Sequence, residues 1–184
     1  MNREYGIEFK RDTLLQVEGY VDADWASDRN DQKYCTGFTM LFNTSPGSWV
    51  SRKQKTVATS ATEAEYMALS DAVKQICCIK SLLEELSFDI PPVVLYEDNM
   101  GSIFLAQNPA QERQMKHINI HHHFIHECIQ ERKVIQLWHI STDKQLADVF
   151  TKALGKVKFL GFKSFLVTNL THIKSGGSVE KVSA

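Results

Sequence analysis

The clearest pattern in the chain is an apolar stripe that follows residue 60. The segment 60–63, SATE, has the spacing of a capping box, in which a serine and a glutamate three residues later cap the first turn of a helix. Apolar residues then recur at steps of three and four, the period of one helix face. They are Leu69, Ala72, Val73, Ile76, Ile79, Leu83 and Leu86. The pattern predicts a long amphipathic helix that ends at 88–92.

Shorter apolar runs predict the remaining elements. Two runs before the helix flank the turn residues NTSPG, which is typical of a hairpin, and the run VVLYE suits a buried central strand. Strands are expected at 14–22, 36–42, 48–52, 56–59, 93–97 and 134–140. Further helices are expected at 99–106, 114–132, 144–154 and 155–170. This order predicts an α/β domain with a mixed sheet, an antiparallel meander followed by parallel crossovers.

Composition and charge narrow the class of protein. The 184 residues suit one domain, and 43% hydrophobic with 23% charged residues are ordinary globular values. These values exclude a disordered tail, a collagen-like chain and a coiled coil. No apolar stretch approaches the roughly 20 residues of a membrane span, and the N-terminus has no signal-peptide pattern. With 21 basic and 22 acidic residues, the chain cannot hold nucleic acid by net charge alone, although a local groove can.

The four cysteines are expected to be free thiols. Cys35, Cys77, Cys78 and Cys128 include no CxxC pair. Cys77 and Cys78 are adjacent in the predicted long helix, so their side chains point in different directions. We expect a reducing compartment, no disulfides, and cysteines that pack as small hydrophobic residues.

Four acidic residues stand out by their positions. Asp22 ends the first predicted strand, and Asp98 ends the central strand. Glu65 lies on the buried stripe of the long helix, where an uncompensated charge is costly. Asp148 lies one turn inside a predicted late helix. Because sites in open α/β sheets gather beyond the carboxyl ends of neighbouring strands, we expect the four carboxylates to converge there.

Such a cluster calls for a cation, since carboxylates a few ångströms apart raise one another's pKa. All-oxygen ligation selects Mg²⁺ or Mn²⁺ over Zn²⁺. Two such ions roughly 3.5–4 Å apart suit in-line attack on a phosphodiester. From spacing alone a structural role is an equal alternative: Asp22 and Asp98 as turn residues, Glu65 and Asp148 as charges on helix surfaces.

Five segments form a series in one order along the chain. They are YVDADWASD at 20–28, SWVSRKQKTVATSATEAEYMAL at 48–69, LYEDNMGSI at 95–103, KHINIHHHFIHE at 116–127 and KQLADVFTKAL at 144–154. Together they resemble the ribonuclease H domain of copia-type (Pseudoviridae) LTR retrotransposon Pol polyproteins. The resemblance extends over roughly residues 5–170, and the joint occurrence of the motifs makes it specific.

The resemblance implies a ribonuclease H-like fold, a five-stranded mixed sheet of order 3-2-1-4-5 with helices on both faces. It implies a two-metal-ion endoribonuclease that cleaves the RNA strand of RNA–DNA hybrids during retrotransposon reverse transcription, leaving 3′-hydroxyl and 5′-phosphate ends. The implied cofactor is Mg²⁺, as two ions, with Mn²⁺ as a substitute. The implied catalytic residues and metal ligands are Asp22, Glu65, Asp98 and Asp148, with Asp22 bridging both ions.

Two further acids lie close to this set. Asp24 shares the side of Asp22 by period-two alternation, so it is the nearest alternative for that position. Glu63 is better explained as the capping-box partner of Ser60.

Two features depart from the family pattern. Cellular ribonucleases H have a glycine-rich, histidine-bearing loop after the last strand, whereas the link HISTDK at 139–144 is short, so slow or assisted turnover is expected. In the histidine-rich helix, His121, His122 and His126 stand where family members usually have arginine, tyrosine and arginine. This removes fixed positive charge from a surface expected to face the hybrid and weakens phosphate contacts near pH 7.

Contacts with the hybrid are expected from a small basic patch and from residues beside the acids. They are Arg52, Lys53, Lys55, Asn99, Lys116 and His117. Basic side chains position nucleic acid without reading its sequence, although the patch can also be a polar strand end. The i,i+4 pairs His117/His121 and His122/His126 have a spacing that can bind zinc. No cysteine or acid completes a set nearby, which favours a solvated helix face.

The expected domain division and partners follow from the resemblance. An N-terminal extension at 1–13 precedes the ribonuclease H domain at 14–154, a C-terminal helix at 155–171 packs on it, and a flexible tail follows at 172–184. The expected partners are an RNA–DNA hybrid and the reverse transcriptase domain of the same polyprotein, with no membrane. The expected location is a cytoplasmic virus-like particle or the nucleus.

Two other functions stay open. The first is a catalytically weak or inactive module with this fold, acting as a scaffold or partner-binding domain of a transposon-derived protein. The second is an integrase or exonuclease of the same superfamily, which fits the acids but not the TEAEY and QLAD contexts. The presence of all four acids favours the ribonuclease, and the altered histidine helix keeps the non-catalytic module open.

Overall fold

The computed structural model describes residues 4–9, 14–25, 33–108 and 119–169. The strands are β1 (Tyr5–Gly6), β2 (Val17–Trp25), β3 (Tyr34–Phe42), β4 (Ser45–Lys53), β5 (Val93–Glu97), β6 (Ile135–His139) and β7 (Thr168–Asn169). The α-helices are α1 (Ala61–Glu85), α2 (Met100–Gln107), α3 (Asn119–His126), α4 (Asp148–Thr151) and α5 (Lys156–Leu166). A π-helical segment (Glu127–Glu131) follows α3, and a 3₁₀ turn (Thr142–Lys144) precedes α4.

Five strands form one mixed sheet in the order β4-β3-β2-β5-β6. β2, β3 and β4 are antiparallel neighbours, whereas β5 lies parallel to β2 and β6 parallel to β5. Numbered by chain order within this sheet, the arrangement is 3-2-1-4-5. The predicted ribonuclease H-like topology, with its meander and parallel crossovers, is therefore confirmed.

Helices cover both faces of the sheet. Side chains of β2 and β5 such as Val21 and Leu95 pack with Leu69 of α1 in the main core. On the opposite face, Leu41 of β3 packs with Phe162 of α5 in a smaller cluster. Because successive side chains of a strand point to opposite faces, β2 and β3 contribute to both cores.

The hairpin between β3 and β4 is tighter than the NTSPG segment predicted. Asn43 and Thr44 alone form the turn, both with positive φ, 48° and 78°. This backbone matches a two-residue type I′ turn, whose twist suits a hairpin. β4 then includes Pro46, which an edge strand tolerates because it needs donors on one side only.

The strand predicted at 56–59 does not form. Gln54, just after β4, is buried, and its side-chain amide donates to Thr36 Oγ1 (3.1 Å) and to the Ala64 carbonyl (2.9 Å). The backbone N–H of Thr59 donates to the Glu63 carboxylate (2.6 Å). These bonds connect the segment 54–59 to the start of α1, so the segment packs against the helix and does not add a strand to the sheet.

The helix predicted at 144–154 is wrong in length, since only the single turn α4 forms there. Gln145 is fully buried, and its side chain donates to the Val21 carbonyl of β2 (2.8 Å). The chain is extended again at Lys152, with φ −142° and ψ 157°. Contacts with the sheet therefore override the local helical pattern.

The other two helices differ less from expectation. In the segment predicted at 114–132, residues 114–118 lie outside the described residues, and α3 widens into the π-helical segment, where the Arg132 N–H donates to the Glu127 carbonyl (2.9 Å). The helix predicted at 155–170 ends at Leu166, because β7 then pairs with β1 in a two-stranded sheet. The predicted tail at 172–184 lies outside the described residues.

No helix in the described part of the chain has the length and apolar character that a bilayer crossing requires. The division into an extension, a domain and a packed terminal helix stays a prediction.

Gly37 of β3 is expected to be essential for seating α4. A Cβ atom there would lie 2.5 Å from Thr151 Cγ2, 3.0 Å from Phe150 Cβ and 3.1 Å from the Ala147 carbonyl oxygen. Gly37→Ala should therefore lower the free energy of unfolding by about 1–3 kcal/mol, measured by urea denaturation. Gly161→Ala is the matched control, because a Cβ there meets nothing within 4 Å and alanine favours the helix. Equal stability of the two variants would contradict the close seating of α4.

Candidate metal centre

Three of the four predicted acids meet at the carboxyl end of the central strands. Asp22 lies in β2, Glu65 in the second turn of α1 and Asp98 directly after β5. One carboxylate oxygen from each lies within 4.8 Å of the others. Asp22 and Glu65 are buried, and Asp98 is half-buried. The convergence expected from strand-end positions is therefore present for these three.

Asp22, and not Asp24, contributes a carboxylate oxygen to this group. By alternation along β2, Asp22 lies on the same face as Tyr20, which packs against the smaller core beside α4 and α5. The Thr151 hydroxyl of α4 donates a hydrogen bond to Asp22 Oδ2. The short helix α4 thus orients the Asp22 carboxylate from the face of the sheet that carries the smaller core.

Glu65 reaches the group from the opposite face. Its Oε2 accepts the backbone N–H of Ala23 (2.6 Å), which anchors α1 to the end of β2. The first turn is set by Ser60, whose Oγ accepts the N–H of Glu63 (3.1 Å). The Glu63 carboxylate accepts the backbone N–H of Thr59 instead of that of Ser60, which is a shifted form of the predicted capping box. Glu63 therefore caps the helix, and Glu65 is the glutamate that reaches the site.

Asp98 is held by the polypeptide that follows β6. Its Oδ2 accepts a hydrogen bond from the Thr142 hydroxyl (2.7 Å). The neighbouring Asn99 is the N-cap of α2, where its Oδ1 accepts the N–H of Ser102 (3.0 Å). Asn99, expected to touch nucleic acid, therefore already has a structural role.

Asp148 lies outside the group of three and is paired with two lysines. It is fully buried at the start of α4, with Oδ1 2.8 Å from Lys152 Nζ and Oδ2 2.5 Å from Lys158 Nζ. Lys152 Nζ also lies 3.6 Å from Asp22 Oδ2. Lys152 thus bridges the fourth predicted acid to the first, and the predicted metal-ligand role of Asp148 stays a prediction.

Glu97 is a fifth acid of the site that sequence reasoning missed. It is fully buried at the end of β5, its Oε1 accepts the Asn99 N–H (3.1 Å), and its Oε2 has no hydrogen-bond partner among the described residues. Period-two alternation was a usable signal, since Glu97 shares a face with the buried Val93 and Leu95. Lys152 and Thr151 were also missed, although both lie in the segment quoted for the resemblance.

Burial makes these carboxyl groups resist ionisation. Burial raises the pKa of Asp22 to about 6, although the Thr151 hydrogen bond and the Lys152 ammonium act against it. Burial, with further contributions from Glu97 and Asp22, raises the pKa of Glu65 to about 11. Burial likewise raises the pKa of Glu97. Buried, partly protonated oxygens close together are a donor set that a hard divalent cation would deprotonate and bind.

The predicted basic patch lies at the same end of the sheet as the acids. Arg52 of β4 is opposite Thr36 of β3, which is opposite Ala23 of β2, so the patch is two strands, roughly 10 Å, from the site. Arg52 forms an ion pair with Asp71 (2.6 Å), while Lys53 and Lys55 are exposed.

The predicted contacts Lys116 and His117 lie outside the described residues, as do the side chains of His121 and His122. Within the described ranges no second group of three histidine, cysteine or acidic residues has metal-binding proximity. The zinc alternative for the histidine pairs is therefore untested.

Comparison with known proteins finds sequence relatives among the Pol polyproteins of plant transposons. No family model matches the chain. It is 39% identical over 160 residues to the retrovirus-related Pol polyprotein from transposon RE2 of Arabidopsis thaliana, covering 86% of this chain and 11% of that protein. It is 40% identical over 161 residues to the corresponding protein from transposon RE1 of the same plant, covering 87% and 11%. The chain thus spans about a tenth of the length of these polyproteins.

Among solved structures, LC11-RNase H1 in complex with an RNA/DNA hybrid is similar with a TM-score of 0.49 and 13% sequence identity. The match covers 74% of this chain and 94% of that one.

Glu65 should make the metal-free protein less stable as the pH rises. Between its ordinary pKa of 4.5 in the unfolded chain and about 11 in the fold, the folded state keeps a proton that the unfolded chain releases. Rising pH therefore favours unfolding, by at most about 1.4 kcal/mol per pH unit for this proton. In EDTA, urea unfolding at pH 6.5 to 9 should show a shallower decline for Glu65→Gln than for the parent. Glu84→Gln, exposed on the same helix, should follow the parent, and identical slopes for all three would contradict the shift.

Lys152 should compete with a divalent cation for Asp22. Lys152→Gln removes a positive charge a few ångströms from the carboxylates, so Mn²⁺ should bind roughly tenfold more tightly, as expected for a unit charge about 6 Å from a divalent ion in water. Electron paramagnetic resonance titration without substrate measures this. Lys156→Gln removes the same charge from an exposed position at the start of α5 and is the control. Unchanged Mn²⁺ affinity in Lys152→Gln would show that the lysine does not share the site.

Proposed function

The chain belongs to the copia-type retrotransposon Pol polyproteins, and we propose that it is their ribonuclease H domain. It spans about a tenth of the length of these polyproteins. The proposed activity is that of a metal-dependent nuclease that cuts the RNA strand of RNA–DNA hybrids. The observation that supports this most directly is the meeting of Asp22, Glu65 and Asp98 at the carboxyl end of β2 and β5. The sheet order supports the same proposal independently, because it places these two strands side by side.

The residues present fit a hard divalent cation. All candidate donors are carboxylate oxygens, and the buried Oε2 of Glu97 has no hydrogen-bond partner among the described residues. We propose that Asp22, Glu65 and Asp98 hold Mg²⁺ or Mn²⁺, with Asp148 as the fourth ligand once its lysines move aside. A bound pair of such ions supplies Lewis acidity at the scissile phosphate and activation of the attacking water.

The chain's own side chains do the remaining work. Thr151 holds Asp22 in place through its hydroxyl, and the Ala23 N–H holds Glu65. Lys152 and Lys158 can turn from Asp148 towards the phosphate backbone, since each side chain is partly exposed. Cleavage then leaves a 3′-hydroxyl and a 5′-phosphate end.

The wider biological setting is part of the proposal. We propose that the hybrid is gripped by the basic patch with Lys116 and His117, and that the reverse transcriptase domain of the same polyprotein delivers it. The expected location is the cytoplasmic virus-like particle or the nucleus. The length of the plant polyproteins beyond the matched segment is consistent with such a partner domain.

One observation favours the second candidate, a non-catalytic scaffold module. Both oxygens of Asp148 are paired with lysines of the chain itself, so the fold neutralises part of its acidic site without a metal. A chain that binds hybrid in Mg²⁺ or Mn²⁺ but never cuts it would support the module and overturn the nuclease.

Asp98→Asn is the most direct test of the nuclease. The change removes one charge from a half-buried side chain of nearly the same shape, so the fold should persist while cleavage of a labelled RNA–DNA hybrid in Mg²⁺ falls roughly a thousandfold or more. Circular dichroism checks the fold. Asp143→Asn removes an equal charge from an exposed position in the nearby 3₁₀ turn and should cut at nearly the parent rate. Equal cleavage by Asp98→Asn and the parent would remove Asp98 from the site.

A further inference from the structure

Two cysteines far apart in sequence meet beside the main core. Cys77 lies in the middle of α1, and Cys128 lies in the π-helical segment 51 residues later. Their sulfur atoms are 3.8 Å apart, which is van der Waals contact between two thiols. Cys128 is fully buried, whereas Cys77 is half-buried and open to small reagents. Neither cysteine has any part in the proposed nuclease chemistry.

The local backbone explains why these two sulfurs face each other. Cys77 follows Val73 by four residues and so points from α1 towards the core, whereas Cys78 is turned about 100° further and is exposed. The π-helical widening is stabilised by the i,i+5 bond from Arg132 to Glu127. The Cys128 carbonyl accepts the Val134 N–H (2.8 Å), which fixes the segment against the start of β6.

The surroundings make Cys77 the more reactive thiol. A hydrogen bond from Cys128 lowers the pKa of Cys77 to about 7, assisted by the Arg132 guanidinium and opposed by burial. The Arg132 side chain also approaches Cys128 Sγ to 4.0 Å. Thiolates, not thiols, react with peroxides, so the half-exposed Cys77 can react first. The buried Cys128 is then the resolving thiol, the one that attacks the oxidised Cys77.

We propose that Cys77 and Cys128 are a peroxide-oxidisable pair that closes to an intramolecular disulfide and links α1 to the π-helical segment. The Cys77 thiolate attacks hydrogen peroxide, the O–O bond breaks, and Cys77 becomes a sulfenic acid with release of water. The Cys128 sulfur then attacks Cys77, expels a second water and forms the S–S bond. Two thiols and one peroxide thus give one disulfide and two waters, and peroxide is the oxidant.

The structural demand of this closure is small. A disulfide needs the sulfurs at about 2.05 Å, so they must approach by about 1.8 Å from their present contact. The bond would join the middle of α1, the helix that contains Glu65, to the segment that precedes β6. Because it closes a long loop, the oxidised chain should be the more stable form.

The test uses the purified full chain with a few equivalents of hydrogen peroxide. Free thiols are then capped with N-ethylmaleimide, and the digest is analysed by mass spectrometry without reduction. We expect a cross-linked peptide pair containing Cys77 and Cys128, two capped cysteines, and a melting temperature raised by roughly 5 °C or more that dithiothreitol reverses. None of these readouts depends on nuclease activity.

The single variants separate the roles of the two thiols. Cys128→Ser should stop at a sulfenic acid on Cys77 that dimedone traps, whereas Cys77→Ser should give neither cross-link nor dimedone adduct at Cys128. Cys78→Ser is the matched control, adjacent in sequence and exposed, and should cross-link like the parent. If Cys128→Ser fails to fold, the comparison of Cys77→Ser with Cys78→Ser decides alone. Loss of the cross-link in Cys78→Ser, or persistence of both thiols in excess peroxide, would overturn the proposal.

Discussion

The burial of several carboxyl groups close together at one edge of the sheet is the constraint on which the site depends. Asp22, Glu65 and Glu97 are buried within a short distance of Asp98, where each charge opposes the others. The fold offsets this with few partners, chiefly the N–H groups of Ala23 and Asn99 and the Thr151 hydroxyl. A site that is this costly in the metal-free chain, and whose candidate ligand atoms are all carboxylate oxygens, is suited to a divalent cation.

The same constraint explains the lysines. An acidic pocket repels a phosphate backbone, and a chain with a net charge of −1 offers no long-range attraction to compensate. Positive charge must therefore be local. Lys152 and Lys158 lie against Asp148, and the patch around Arg52 lies two strands away at the same end of the sheet. Basic groups thus lie beside the acids and at the same end of the sheet.

Helix α1 connects the two chemical features of the molecule. Its first turns present Glu65 to the end of β2, and its middle presents Cys77 to Cys128. The apolar stripe between them packs on the sheet, so the helix is a rigid element shared by the acids and the thiols. The short helix α4 is its counterpart on the other face, seated against Gly37, where no side chain intervenes.

The amino-acid sequence by itself determined the sheet order, through the resemblance, and the positions of Asp22, Glu65 and Asp98, through strand ends and helical period. It failed where contacts between distant residues compete with local pattern: the single turn α4, the absent strand at 56–59 and the buried Glu97 beside the site. The periodicity of apolar residues shows which face of a helix or strand a residue occupies, but not which residue of another element packs against it. Only the tertiary structure placed Lys152 between Asp22 and Asp148. It alone also brought Cys77 into contact with Cys128, 51 residues later, because such proximity depends on how separate elements pack.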